Sequence, residues 1–216
     1  MLVHNENEIL NLFEAINNAG IECILIKNIC NELPDKLPLD KDIDLMIKKN
    51  ERKAFRSFIK EQGGIEMIHP YGALTGYQTL YGINFPIMYI LPSQLMIDVT
   101  DTLCVKCLNI NAWIPLDKKI NSSIWNDKIW NNNLGCWQMD EKNLICYLIA
   151  RCIFDKHKFS VNYISEIRQR KYLLDDTEVI EKLQSVFFDF TQKLINLIKK
   201  EEFDNILNLY IGYSNY

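Results

Sequence analysis

The stretch Asp42-Ile-Asp-Leu-Met-Ile47 constrains this chain more than any other. It is short and rich in residues that suit a strand, and it opens with two carboxylates two positions apart. On a strand, side chains alternate between faces. Asp42 and Asp44 therefore project one way, and Ile43, Leu45 and Ile47 the other. A fold that accepts this stretch must bury the apolar side and turn the acids toward a cleft. The two Cα atoms would sit about 6.5 to 7 Å apart, from a rise of about 3.3 Å per residue. Carboxylates so placed can share Mg²⁺ ions, which take oxygen ligands. A pair of such ions needs a further acid. Asp98, in Leu95-Met-Ile-Asp-Val99, is the candidate, because an acid among apolar strand neighbours is costly unless it has a partner or an open edge. Asp101, in more turn-like surroundings, is the runner-up.

The segments around this strand read as a mixed α+β region. Residues 5–19 predict an amphipathic helix with Asn5 as cap, Glu8 closing a capping box, and Gly20 at its end. Ile21 to Lys27 predicts a strand, and residues 28–41 a loop holding Pro34 and Pro38. Asn50 is placed to cap a helix from Glu51 to Gln62, stopped by Gly63-Gly64, with a strand at Ile65 to Ile68. Glycine-punctuated stretches from Tyr71 to Pro92 predict hairpin strands. A further strand is expected from Leu108 to Ile114, and an irregular polar stretch from Trp125 to Trp137, anchored by Trp130 and Trp137.

From Asp140 the pattern becomes helical throughout. Asp140 and Ser160 are candidate caps, and residues 177–198 and 202–210 continue as helices. The chain thus divides into an α/β region, 1–138, and a C-terminal helical region, 139–216.

Composition narrows the function classes. A net charge of -4 disfavours a broad nucleic-acid surface, which needs clustered Lys and Arg. No apolar run reaches the roughly 20 residues a bilayer span requires. The first residues lack the basic and apolar regions of a secretory signal. With seven cysteines, an odd count often set in apolar runs, these features point to reduced thiols and a cytoplasmic setting. Cys104-Val-Lys-Cys107 has the spacing of half a zinc site but no second pair. His4 and His69 have no nucleophile at a recognisable spacing. No Walker loop or Rossmann glycine fingerprint occurs.

Strand, loop, Asp-x-Asp strand, helix and a later strand with one acid together resemble the nucleotidyltransferase superfamily. That superfamily includes DNA polymerase β, aminoglycoside nucleotidyltransferases and small bacterial nucleotidyltransferases. Lys41-Asp-Ile-Asp-Leu-Met-Ile47 resembles its Asp-x-Asp strand, and Met96-Ile-Asp-Val99 its third-acid strand. The resemblance covers about residues 20 to 100. Lys27 and Asn28 stand where the superfamily has Gly-Ser. A Lys ammonium can meet phosphate as a point charge, and Asn tolerates the left-handed region better than most residues.

The resemblance implies a nucleotidyltransferase-like mixed sheet flanked by helices and followed by helices. It also implies transfer of a nucleoside monophosphate from an NTP, ATP foremost, to an acceptor hydroxyl. Asp42, Asp44 and Asp98 would hold Mg²⁺ or Mn²⁺, with Asp98 also serving as base. Lys27, Asn28 and Lys156 would contact the nucleotide. Lys156, His157 and Lys158 equally suit a helix C-terminus, where cations complement the dipole. The acceptor stays open among a small molecule, a protein side chain and a tRNA end, and the aromatic content leaves room for a homodimer surface. The same residues also fit a catalytically inactive protein of this fold that binds a nucleotide or a protein, a role the Lys27-Asn28 departure favours. A zinc-stabilised interaction module built on Cys104 and Cys107 is a third class.

Overall fold

The computed structural model describes residues 2–213; the outermost positions of the two expected regions, 1 and 214–216, lie outside the described residues. Helix α1 (Glu6–Asn18) buries Ile9, Leu12, Phe13 and Ile16 on one face. Asn5 caps it, its Oδ1 accepting the Asn7 N–H at 2.9 Å. The Glu8 carboxylate, expected to complete a capping box, accepts the Ser93 hydroxyl instead. Gly20 then turns the chain at φ +69°, a conformation that costs a side chain with a Cβ.

Strands β1 (Cys23–Leu25) and β2 (Asp42–Ile47) follow, the second with the expected bounds. Helix α2 (Arg52–Glu61) starts later than expected, because Asn50 sits inside a 3-10 turn, Lys49–Glu51, rather than at a cap. Gly64 is required at the exit of α2: a Cβ there would lie 2.7 Å from Ile59 Cγ2 and 2.9 Å from Leu91 Cδ2. Next come β3 (Ile65–Met67), β4 (Gln78–Thr79), β5 (Ile87–Ile90) and β6 (Met96–Thr100).

Several stretches differ from expectation. The strands in the stretch expected to form hairpins, β4 and β5, do not pair with each other: β5 lies antiparallel between β3 and β6, and β4 belongs to a separate sheet in which its pairing is parallel. The strand placed at 108–114 is β8 (Ala112–Pro115), and it pairs antiparallel with β7 (Cys104–Lys106). The stretch expected to be irregular is ordered, as helix α3 (Lys118–Asp127) and a hairpin of β9 (Ile129–Asn131) and β10 (Cys136–Gln138). Helix α3 buries only Ile120 and Ile124, a stripe too thin to stand out in the sequence. In the hairpin, Asn131 Oδ1 accepts the N–H groups of Asn133 and Leu134, and the Trp130 and Trp137 rings pack edge to face with centroids 5.1 Å apart.

The main sheet has the order β3-β5-β6-β2-β1-β10-β9, and a smaller one the order β4-β8-β7. At the centre β2 and β6 run parallel, in a register that sets Asp44 opposite Asp98. Ile43, Leu45 and Ile47 face α1 and α2, packing with Phe13, Phe55 and Phe58. The opposite face carries the acids. There Ile24, Ile26 and Met46 pack under the C-terminal helices α4 (Glu141–Phe154), α5 (Val161–Gln169), α6 (Thr177–Phe187), α7 (Thr191–Lys199) and α8 (Ile206–Ile211). Helix α4 is apolar nearly all round and buried at most positions, as a central helix must be. The continuous helix expected over 177–198 is broken at Phe188, whose φ of +48° cannot continue it. The architecture is α+β, a mixed sheet flanked by helices and followed by helices, as expected. Among the described residues, no helix is long and apolar enough to cross a membrane.

Candidate functional site

The site follows from β2 and β6 lying side by side. In a parallel pair, opposed residues share a face, so Asp42, Asp44 and Asp98 all emerge on the side covered by the helical tail. Their carboxylate oxygens can be chosen to lie within 4.8 Å of one another. Among the described residues this is the one cluster of three or more potential metal-ligating side chains. Cys104 is buried in β7 and Cys107 is half-buried, and both are free thiols. Burial pushes the Cys104 thiol well up from its ordinary value.

Cations face the acids. The Lys27 ammonium, just past β1, pairs with Asp44 Oδ2, and the two side chains are only 12% and 5% exposed. Burial lowers the Lys27 pKa to about 7; the nearby Arg151 charge adds to the fall, while Asp42 and Asp98 partly oppose it. Arg151, from α4, sets its Nη2 3.7 Å from Asp44 Oδ1. Its guanidinium also donates to Tyr147 Oη at 2.7 Å and Tyr163 Oη at 3.1 Å. Asp155 Oδ2 lies 3.5 Å from the same group. Burial raises the Asp155 pKa, against the pull of Arg151 and of the Lys106 N–H that it accepts.

Arg151 is not among the residues expected at the site. Its signal was available: a lone charge between Ala150 and Cys152 in an otherwise apolar helical run, which forces either a buried partner or a site.

A cavity of about 460 Å³ opens beside the acids, lined by Lys27, Asp42, Asp44, Arg151, Lys156 and Lys158 among others. The structure thus brings Lys27 and Lys156 to the acids' cleft. Burial, then Arg151, lowers the Lys156 pKa. Asn28 lines the same cavity, but its side chain is committed to the loop, its Oδ1 accepting the Leu33 N–H at 2.9 Å. Glu166 of α5 reaches the same loop and accepts the Cys30 N–H at 2.8 Å. Asp101, the runner-up acid, lies apart from the cluster; Arg52 donates to it at 2.9 Å and Asn84 at 2.6 Å.

The donor set fits a hard divalent cation: three carboxylates, with Asp98 Oδ1 buried and unpartnered.

A mixed sheet with acids on adjacent parallel strands, roofed by a helical tail, defines a nucleotidyltransferase-like fold. In particular, the chain is similar to the solution structure of the antibiotic-resistance factor ANT(2'')-Ia, an aminoglycoside nucleotidyltransferase. That match has a TM-score of 0.50 and 11% identity, covering 92% of this chain and 99% of that one. The chain is also similar to the crystal structure of ANT(2'')-Ia in complex with adenylyl-2''-tobramycin, with a TM-score of 0.50 and 9% identity, covering 83% and 96%. At these identities the likeness is one of fold. No protein-family model and no curated protein matches the chain.

Proposed function

We propose that this chain transfers a nucleoside monophosphate from an NTP, ATP foremost, to an acceptor hydroxyl, with Mg²⁺ or Mn²⁺ as cofactor. The reading rests on the convergence of Asp42, Asp44 and Asp98, two of which, Asp42 and Asp44, line a cavity that also holds the five cationic side chains of Lys27, Lys41, Arg151, Lys156 and Lys158. Acids alone would repel a polyphosphate, and lysines alone would not hold a divalent cation. The two sets side by side suit a metal-polyphosphate.

Asp42, Asp44 and Asp98 would hold the cation. When bound, it neutralises charge on the transferring phosphoryl group and the leaving pyrophosphate. Arg151, Lys156 and Lys158 supply the positive wall for the phosphates, and Arg151 is pre-set by its two tyrosine partners. In the transfer, the acceptor oxygen bonds to the α-phosphorus and the bond to pyrophosphate breaks. The acceptor proton passes to the Asp98 carboxylate. A cytoplasmic setting supplies both nucleotide and cation.

The pairing of Lys27 with Asp44 favours a second possibility, an inactive domain in which the ammonium takes the cation's place. Calorimetric titration with Mn²⁺ and ATP separates the two. Metal-dependent ATP binding that is lost in Asp42→Asn is the expected result. Labelled-ATP transfer is then screened against hydroxyl-bearing small molecules, protein side chains and tRNA ends. Absence of metal-dependent ATP binding in a folded protein overturns the enzyme assignment.

A further inference from the structure

His69 lies just beyond β3 and is buried, with its ring 6.1 Å from that of Tyr71 and 6.2 Å from that of Trp113, centroid to centroid. Its Nδ1 accepts the Tyr71 backbone N–H at 3.0 Å. An imidazole nitrogen that accepts carries no proton, so in the neutral ring the proton is on Nε2. That nitrogen lies 3.6 Å from Asp98 Oδ1. Both atoms are fully buried, and neither has another hydrogen-bond partner. A buried donor and a buried acceptor, each unsatisfied and facing one another across a gap slightly longer than a hydrogen bond, call for an explanation.

The support behind His69 reaches into the small sheet. Trp113 of β8 donates its indole N–H to the Tyr71 carbonyl at 2.8 Å. Gly72 closes the turn, where an added Cβ would stand 3.2 Å from the His69 carbonyl oxygen. The chain of contacts therefore runs from Trp113 to Tyr71, to His69 and to Asp98. It links the three-stranded sheet β4-β8-β7, whose Cys104 and Trp113 line a small pocket with Asp44, Asp98 and Arg151, to the carboxylate of Asp98.

We infer that His69 is a positioning residue for Asp98: its Nε2–H holds Oδ1 and orients the carboxylate toward the cation and the acceptor. This rests on the transferase assignment above for its purpose, but not for its geometry. Groups that hydrogen-bond a metal-binding carboxylate are worth about 10–100-fold in metal affinity or activity. His69 lacks a Ser, Cys or Asp partner at any recognisable sequence spacing, so only the fold reveals the pair.

The test has two arms. In the first, long-range ¹H–¹⁵N correlation of the imidazole nitrogens is recorded without metal at mildly alkaline pH, with His69 assigned by its loss in His69→Gln. The expected result is an Nε2–H tautomer whose Nε2 signal moves in Asp98→Ala. An Nδ1–H tautomer, or a signal indifferent to Asp98→Ala, overturns the inference whatever the enzyme does. In the second, Mn²⁺ alone is titrated into wild type, His69→Leu and His69→Gln, each checked for an unchanged fold by circular dichroism. His69→Leu should weaken Mn²⁺ binding about 10-fold or more, and His69→Gln, which keeps an N–H donor, should recover most of it. Equal affinity in all three, or no recovery by Gln, overturns the positioning role. Failure of the wild type to bind Mn²⁺ counts against the transferase assignment instead, and the first arm still decides the contact.

Discussion

Asp44 is the residue on which most of the site's energetics meet. It is buried, paired with Lys27 and within 3.7 Å of Arg151. A buried ion pair contributes little net stability against an apolar replacement, but removing one member strands the other's charge. Asp44→Asn leaves the Lys27 amine beside Arg151 with no counter-charge at hydrogen-bond distance, so it must either stay charged without a partner or give up its proton. That variant should lose roughly 3 kcal/mol of unfolding free energy, and Asp44→Asn combined with Lys27→Met should regain most of it. Urea denaturation of the four proteins of the cycle measures this. Strict additivity would mean that the pair is not coupled in the folded protein. Asp42 and Asp44 were legible in the sequence because alternation on a strand is a local property. Arg151 and His69 were not, because what makes them part of the site is a neighbour from another element.

Among the elements, the ends of α4 and α6 show how helix termini are joined as well as capped. Asp140 accepts the N–H groups of Lys142 and Asn143, and Asp176 those of Glu178 and Val179. Lys142 then bridges the two helix starts, 2.9 Å from Asp176 and 3.0 Å from Glu178. The hydrogen bond from Lys142 holds the Asp176 carboxyl below its ordinary value, helped by the backbone N–H groups it accepts. Lys182, then Lys142, does the same for Glu178. Carboxyls depressed in the folded state stabilise it above their unfolded pKa, and that contribution is lost as pH falls through the folded values. The urea midpoint of wild type should therefore exceed that of Lys142→Met at neutral pH, with the difference shrinking toward about pH 3, below the usual carboxylate range. A difference that holds or grows on acidification would contradict this. Asp140 was readable as a cap from its place before an apolar run. Helix α3 and the β9–β10 hairpin were not, since a short amphipathic stripe and a two-tryptophan contact declare themselves only once the partner surfaces exist.

Across the whole molecule, the helical tail is part of the cleft rather than an appendage. It supplies Arg151, Lys156 and Lys158 to the cavity wall and, through Glu166, grips the loop after β1. Glu166 is buried and also pairs with Arg170 at 2.8 Å. Glu166→Ala strands the Cys30 N–H and leaves the Arg170 guanidinium only the carbonyl of residue 166 at 3.0 Å and Glu141 at 3.7 Å, and should cost roughly 2 kcal/mol. It should also weaken binding of ATP with Mn²⁺, because Asn28 and Ile29 of that loop line the cavity. Glu166→Gln keeps an acceptor and should fall between. Denaturation and calorimetry on the same samples check both effects, and a wild-type midpoint for Glu166→Ala would remove the tail's hold on the loop.

By itself the sequence determined the local order of helices and strands in the first hundred residues, the helical character after Asp140, and the common direction of Asp42 and Asp44. Each of these depends on periodicity, capping or alternation within a few residues. Only the tertiary structure decided that Asp98 stands opposite Asp44, that Arg151 and Lys27 flank Asp44, and that His69 faces Asp98. Register between strands far apart in the chain, and the docking of a helix over a sheet, are set by which surfaces fit together once the whole core is buried. No local pattern encodes that fit.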